Sequence, residues 1–271
     1  MELMPKGKLI ASALLAMVLG TGGAHAAQCG NNSSGFNAWK QSMAQEASRA
    51  GVGQRGLAAL QGASYSNATI SADRNQKSFK YSLEKFMQVR GAPTIVSRGK
   101  KLKAQNAQLF SSIEARYGVP AGPLLAIWGM ETAFGGFMGD TNLISATATL
   151  AYDCRRSEFF TGHLMAALQL VDRGVVSSSS VGAKHGELGQ TQFLPGSVLR
   201  YGVDGDGDGK IDLVRSRADA LASTANFLRA HGWRPGAGYQ PGQANYGAIQ
   251  GWNAAGVYQQ AIAIMGKQID G

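Results

Sequence analysis

Between residues 124 and 134 the chain reads Leu-Leu-Ala-Ile-Trp-Gly-Met-Glu-Thr-Ala-Phe, with Glu131 as its one ionisable side chain. Pro120 just ahead is a helix-start signal and Gly135-Gly136 a stop, so the stretch reads as a helix. At helical spacing Leu124, Ile127, Trp128, Glu131 and Phe134 share one face. An apolar stripe must be covered by other chain, and it carries a carboxyl into the dry interior with it. Lost water disfavours the charged form of that carboxyl. Two readings stand side by side. Glu131 is either a proton donor, or a structural carboxyl paired with an arginine such as Arg155 or Arg156, since perturbed carboxyls occur in both settings.

The rest of the chain mostly has helical rhythm. Helices are expected over residues 36–50, ended by Gly51, then over 56–60, 79–89 and, after Pro93, in one long stretch over 94–117. Further candidates are 145–152, 157–172 and 219–231, the last closed by Gly232, with one or two helices over 246–269. Residues 64–75, 177–180 and 235–247 read as turns, loops or extended connections. No β-strand series and no internal repeat is visible. The fold class expected is mainly α with irregular loops.

The first residues have the pattern of an export signal. Lys6 and Lys8 precede an apolar run over 9–19 that is too short to span a bilayer, and Ala24-His25-Ala26 fits a cleavage site. Cys29 lacks the small residue that precedes a lipidated cysteine, which argues against a lipoprotein. Removing residues 1–26 of the 271 leaves 245 with a net charge of +8 in place of +9. That length buries a full core without staples. A basic exported chain points to an anionic envelope partner rather than nucleic acid, for which no motif is present; the alternative is that the charge serves solubility alone. Cys29 and Cys154, in an oxidising compartment, are expected to pair, two free thiols being the alternative.

Two further motifs carry chemistry. Asp204, Asp206 and Asp208 at positions 1, 3 and 5, Gly209 at 6 and the Lys210 carbonyl at 7 match the front of an EF-hand calcium loop. Arg215 stands where the closing acid is usual, and Asp219, a few residues on, is placed to close a longer loop. A bare acidic turn is the other reading. In Gly186-Glu187-Leu188-Gly189-Gln190-Thr191-Gln192-Phe193-Leu194-Pro195, Gln190 and Gln192 both donate and accept, as sugar hydroxyls and acetamides demand, and Phe193 offers a stacking face. The four histidines are scattered and give no zinc spacing. No organic cofactor is indicated.

Taken in order, AIWGMETAFGG, GQTQFLP and DGDGDG resemble the B-type membrane-bound lytic murein transglycosylase family, with its lysozyme-like fold. Phe36 to Trp39, Asp73-Arg74-Asn75-Gln76, Tyr117-Gly118-Val119-Pro120, Ala148 to Asp153, Arg155-Arg156, Asp219 to Trp233 and Trp252-Asn253 also look like family positions. The resemblance implies a periplasmic enzyme that cleaves the β-1,4 bond between N-acetylmuramic acid and N-acetylglucosamine in peptidoglycan and forms a 1,6-anhydro sugar. Glu131 is then acid and base in turn. The sequence offers no obvious second carboxylate of the kind ordinary glycosidases use. Gln192 and Phe193 match substrate-contacting positions, Tyr258 an aromatic near the cleft, and Phe160 and Phe227 fall near family tyrosines. The DGDGDG loop matches a calcium site with Asp219 as its last ligand.

The implied layout is a signal at 1–26 and one unit over 27–271, with a helical part 27–115 and a catalytic core 116–271 that includes the calcium loop 204–219. Departures from the family are a short stretch between Trp233 and Trp252, Glu187 where a small residue is usual, Ala254-Ala255 for Arg-Ser, and Cys154 for glycine, which favours the bridge to Cys29. A second function class compatible with the same residues is a peptidoglycan-binding scaffold with weak or no turnover, a third a muramidase that uses water. Peptidoglycan strands are the expected partner, and other envelope proteins are candidates.

Overall fold

Helix α7 (Ala121–Thr132) is the axis around which the chain packs, and every one of its residues except Glu131 is buried. The structure, a computed structural model, describes residues 27–75 and 81–271. The export signal expected at 1–26, Gln76 and the start of the helix expected from residue 79 lie outside the described residues.

A 3-10 turn (Ser33–Gly35), capped by Asn32, leads into α1 (Phe36–Arg49). There follow α2 (Gln54–Gln61), α3 (Asn67–Arg74), α4 (Leu83–Arg90), α5 (Ala92–Gln105) and α6 (Ala107–Tyr117) before α7. After it come β1 (Thr141–Asn142), α8 (Leu143–Tyr152), α9 (Ser157–Asp172), β2 (Val181–Gly182), α10 (Pro195–Tyr201), α11 (Arg217–Ala230), α12 (Tyr246–Trp252) and α13 (Gly256–Asp270). Among the described residues one strand pair forms, antiparallel, with Thr141 opposite Gly182 and Asn142 opposite Val181. Helices α5, α11 and α13 pack on α7, α8 lies on α9, and α10 sits between α9 and α11. One set of contacting buried apolar side chains runs from Phe36 to Ile269. No helix among the described residues is long and apolar enough to cross a membrane.

Several expectations need correction. The single apolar stripe on the Glu131 helix is in fact burial on all sides, because neighbours surround α7. Phe134 lies beyond its end. Ala133 and Phe134 turn left-handed, at φ 50° and 62°, ahead of the two glycines. The missing Cβ of Gly129 leaves room for the returning Phe134 ring, which packs edge-on against Trp128. The Thr132 hydroxyl stabilises this turn, accepting from Gly135 N–H at 2.9 Å and donating to the Gln190 carbonyl at 2.6 Å.

The long helix expected over 94–117 is two helices, broken at Asn106, whose side-chain amide donates to the Leu102 carbonyl. A side chain that satisfies a backbone carbonyl competes with continuation of the helix. Residues 67–74, expected as turn, form α3, because Ser66 caps the Thr69 N–H and supplies the start signal.

Asp73 at the end of α3 is buried and binds both Arg155 and Arg156, while Arg74 reaches Asp153 at 2.7 Å. Burial works against the ionised form of Asp73, but the two guanidinium groups outweigh it and hold the carboxyl below its usual range. Beside this cluster Cys29 and Cys154 form a disulfide, and Gly30 N–H donates to the Tyr152 carbonyl at 2.9 Å. The start of the described chain is thereby fastened to the α8–α9 corner. At the other end, Asp270 accepts from Gly122 N–H at 2.8 Å, Lys103 at 3.2 Å and Tyr239 at 2.8 Å, tying α13 to the first turn of α7.

Candidate active site

Glu131 opens into a cavity of about 520 Å³ walled by α9, α10, α11, α12 and the loop between β2 and α10. Its Oε1 accepts two hydrogen bonds, from the Tyr258 hydroxyl at 2.6 Å and from the Trp252 indole N–H at 3.1 Å. Oε2 accepts none among the described residues. Burial pushes the carboxyl up to about 7, the two donors work against that rise, and the charge of Glu187 adds to it. Near neutral pH the group is therefore half protonated. The arginine alternative fails: Arg155 and Arg156 are engaged by Asp73. A cation whose charge favours the ionised form of Glu131 is Arg90, which lies over the Tyr258 ring.

The loop before α10 is a tight closure. Leu188 and Phe193 exchange both backbone hydrogen bonds, at 2.9 and 3.0 Å, around Gly189-Gln190-Thr191-Gln192. Gln192 sits at φ 54°, a left-handed conformation unusual for a side-chain-bearing residue. Its amide nitrogen donates to the Gly189 carbonyl at 2.8 Å, and the residue lines the cavity. Phe193 lines the same cavity and packs edge-on against Phe227 and Trp252.

The other residues singled out in the sequence divide. Phe227 lines the cavity, stacked on His231 at 3.9 Å between centroids. Tyr258 is buried and touches the cavity only through Glu131. Gln190 does not line the cavity: its amide donates to the Val214 carbonyl at 3.2 Å, and its own carbonyl holds Thr132. Phe160 is buried under Phe159 and forms part of a second cavity of about 550 Å³.

Several cavity residues were not singled out. Trp252 binds Glu131 directly; its place in the Trp-Asn pair was the one signal available. Phe159, 52% exposed, lines both cavities, one residue from the Phe160 that was chosen. The scattered histidines His163, His185 and His231 converge on the cavity. A second carboxyl, Glu187, one of the departures from the family pattern, lines it as well.

In the acidic loop the Asp204, Asp206 and Asp219 carboxylates bring oxygens within 4.8 Å of one another. Asp204 accepts from the Gly207 and Gly209 N–H groups at 2.6 and 2.8 Å. Asp219 accepts from Gly205 and Asp212 N–H at 2.9 and 2.7 Å, so it clasps both arms of the loop. Asp208 is outside this trio and accepts from Lys210 N–H at 2.8 Å. Hard oxygen donors held this close suit a cation such as Ca²⁺.

The family described as Transglycosylase SLT domain matches residues 35–243 of this chain. Membrane-bound lytic murein transglycosylase B of Escherichia coli (strain K12) is 40% identical over 122 residues, 44% of this chain and 34% of that protein. The match thus spans about a third of the length of that relative. SltB3 from Pseudomonas aeruginosa, solved in complex with NAG-anhNAM-pentapeptide, superimposes with a TM-score of 0.80 at 30% identity, covering 87% of this chain and 80% of that one. The Escherichia coli lytic transglycosylase Slt35, solved in complex with calcium, shares the fold with a TM-score of 0.74 at 24% identity, covering 90% of this chain and 96% of that one.

Proposed function

The chain belongs to the Transglycosylase SLT domain family, and on that footing we propose that it is an exported lytic transglycosylase that cleaves the β-1,4 bond between N-acetylmuramic acid and N-acetylglucosamine in peptidoglycan. The observation that carries this reading is Glu131: one oxygen fixed by Tyr258 and Trp252, the carboxyl raised to about 7, and a cavity in front of it.

A half-protonated, fixed carboxyl is suited to general acid work at neutral pH. Glu131 gives its proton to the glycosidic oxygen as the bond from that oxygen to the muramyl C1 breaks. The substrate's acetamido group steadies the positive charge at C1. Glu131, now a carboxylate, takes the proton of the muramyl 6-hydroxyl while O6 bonds to C1, which restores the acid and yields the 1,6-anhydro sugar. Tyr258 and Trp252 stabilise the carboxylate formed between the two steps, since hydrogen bonds to a charged acceptor are the strong ones. Gln192 presents its amide oxygen to an acetamido N–H, and Phe193 and Phe227 wall the sugar site. Phe160 shapes the second cavity, and Gln190 acts indirectly by holding the loop that carries Gln192.

Calcium is part of the same reading. Asp204, Asp206 and Asp219 would hold the ion, with Asp208 and the Lys210 carbonyl completing the EF-hand pattern. Bound there, it supplies a crosslink between the loop and α11 and takes no part in bond cleavage.

The test is digestion of purified sacculi by the wild type and by Glu131→Gln, with the products weighed. Anhydro products from the wild type alone support the proposal. Reducing-end products, heavier by one water, would assign a hydrolase, a reading to which Glu187 in the cavity lends weight. Binding to sacculi without release would assign a scaffold.

A further inference from the structure

His163 on α9 uses its two ring nitrogens differently. Gly196 N–H, in the first turn of α10, donates to its Nδ1 at 3.2 Å. A Cβ at residue 196 would lie 2.8 Å from that nitrogen, so glycine is what lets the two atoms meet. An N–H donor needs a lone pair, which fixes the tautomer: Nδ1 is bare and the ring proton sits on Nε2. Burial pushes the ring below its usual range, so it stays neutral near pH 7. Phe159, one helical turn earlier, packs edge-on at 4.6 Å between centroids, and Phe160 lies tilted at 6.1 Å.

The imidazole is therefore held along one edge and against two rings, and it lines the Glu131 cavity. Its Nε2–H makes no hydrogen bond among the described residues, and it is not one of the unpartnered side-chain nitrogens shut off from water. His231 on the same cavity has the reverse polarity: its Nδ1 donates to the Phe227 carbonyl at 2.7 Å, so its Nε2 carries a lone pair. Capping Gly196 explains the Nδ1 edge of His163 and gives no role to Nε2–H, since an asparagine or aspartate oxygen caps as well. A neutral N–H held in place by packing loses little freedom when it binds. Acetamido sugars offer hydroxyl and carbonyl oxygens that accept from such a donor.

We infer that His163 is a substrate-binding residue that donates its Nε2–H to an oxygen of an acetamido-sugar unit in the Glu131 cavity. This rests on the reading of the cavity as a peptidoglycan site and adds to it a specific donor beside the acid Glu131 and the amide of Gln192. The two ring nitrogens then divide the work: Nδ1 holds α10 to α9, and Nε2 meets the sugar.

That division gives the test. In His163→Asn the side-chain oxygen takes the place of Nδ1, so the Gly196 cap is kept and the distal donor is lost. In His163→Gln the amide reaches as far as Nε2, so a donor is kept and the cap is lost. Both are made on Glu131→Gln, which removes the acid. Peptide-free peptidoglycan strands are titrated by calorimetry into the parent and both variants, and all three are melted without ligand. His163→Asn is expected to weaken Kd about fivefold, the loss of one typical hydrogen bond, with Tm unchanged. His163→Gln is expected to hold Kd within about twofold and to lower Tm by about 2–4 °C through the lost cap. A Kd in His163→Asn within about twofold of the parent, with strands still bound, overturns the assignment and leaves the glycan site standing. Equal weakening by both variants also overturns it, because the effect then lies with the cap and not with Nε2. Strands bound by none of the three proteins overturn this assignment and the glycan reading together.

Discussion

Tyr258 donates its hydroxyl to Glu131 across 2.6 Å, joining two residues 127 apart in the chain through the packing of α13 on α7. The contact ties the acid to the buried core and opposes the rise that burial imposes on it.

Removing that hydroxyl should therefore make Glu131 harder to ionise. In Tyr258→Phe the carboxyl moves above about 7, and the alkaline limb of kcat/KM on sacculi moves to higher pH. A hydrogen bond to a charged group contributes roughly 1.5–3 kcal/mol and one pKa unit is about 1.4, so a shift of about one unit or more is expected. A limb that stays in place or moves down would show that the hydroxyl does not govern the acid.

Stability should depend on pH through the same group. The folded protein keeps the Glu131 proton up to about 7, whereas the unfolded chain releases it near 4.5. Between those values the unfolded state binds fewer protons, so this contribution is fully present below pH 4.5, falls as pH rises and is gone above 7. Glu131→Gln has no such proton to lose. It should be the more stable protein at pH 8, by about 3 kcal/mol at most, with the gap closing toward pH 4.5. Parallel urea melts at the two pH values check this.

Chelation should loosen the Asp204–Asp219 loop without touching the acid. For an ion present at about a hundred times its Kd, removal costs about 2.7 kcal/mol, or a fall of roughly 5–10 °C in a chain of this size. Calorimetry with and without chelator reads the shift, and Asp219→Asn should abolish it. An identical Tm in both buffers would remove the metal from the proposal.

Reduction of Cys29–Cys154, which spans 125 residues, should cost about 2–5 kcal/mol. Cys29→Ser and Cys154→Ser should each lower Tm by a similar amount and become insensitive to reductant. A wild-type melt unchanged by reductant would mean that the corner is held by Asp73 and its arginines alone.

The local parts of this architecture were legible in the sequence. Helices with clear punctuation, such as Ser157–Asp172 and Arg217–Ala230, fall where glycine, capping residues and apolar spacing put them. What depends on a distant partner was not. The break at Asn106 and the helix at 67–74 turn on single side chains capping or competing with backbone groups, which apolar periodicity does not report. In the site, Glu131 was visible because a carboxyl stands out in an apolar run. Trp252, Phe159 and the three histidines were not, because each is ordinary in its own segment and joins the cavity only where α9, α11, α12 and the loop between β2 and α10 converge. Gln190 was misjudged as a ligand-facing group for the converse reason: its neighbours in the chain suggested a sugar, and the fold turned it toward Val214.

The left-handed backbone at Gln192 bears on any effort to toughen this protein against heat. A non-glycine residue held there carries a strain of order 1–3 kcal/mol, so a search for thermotolerant variants would drift to glycine at that position. Such a variant would melt later and lose the amide of a residue that lines the cavity. Screens that read only survival after heating will select against this residue, and those who use them should hold it fixed.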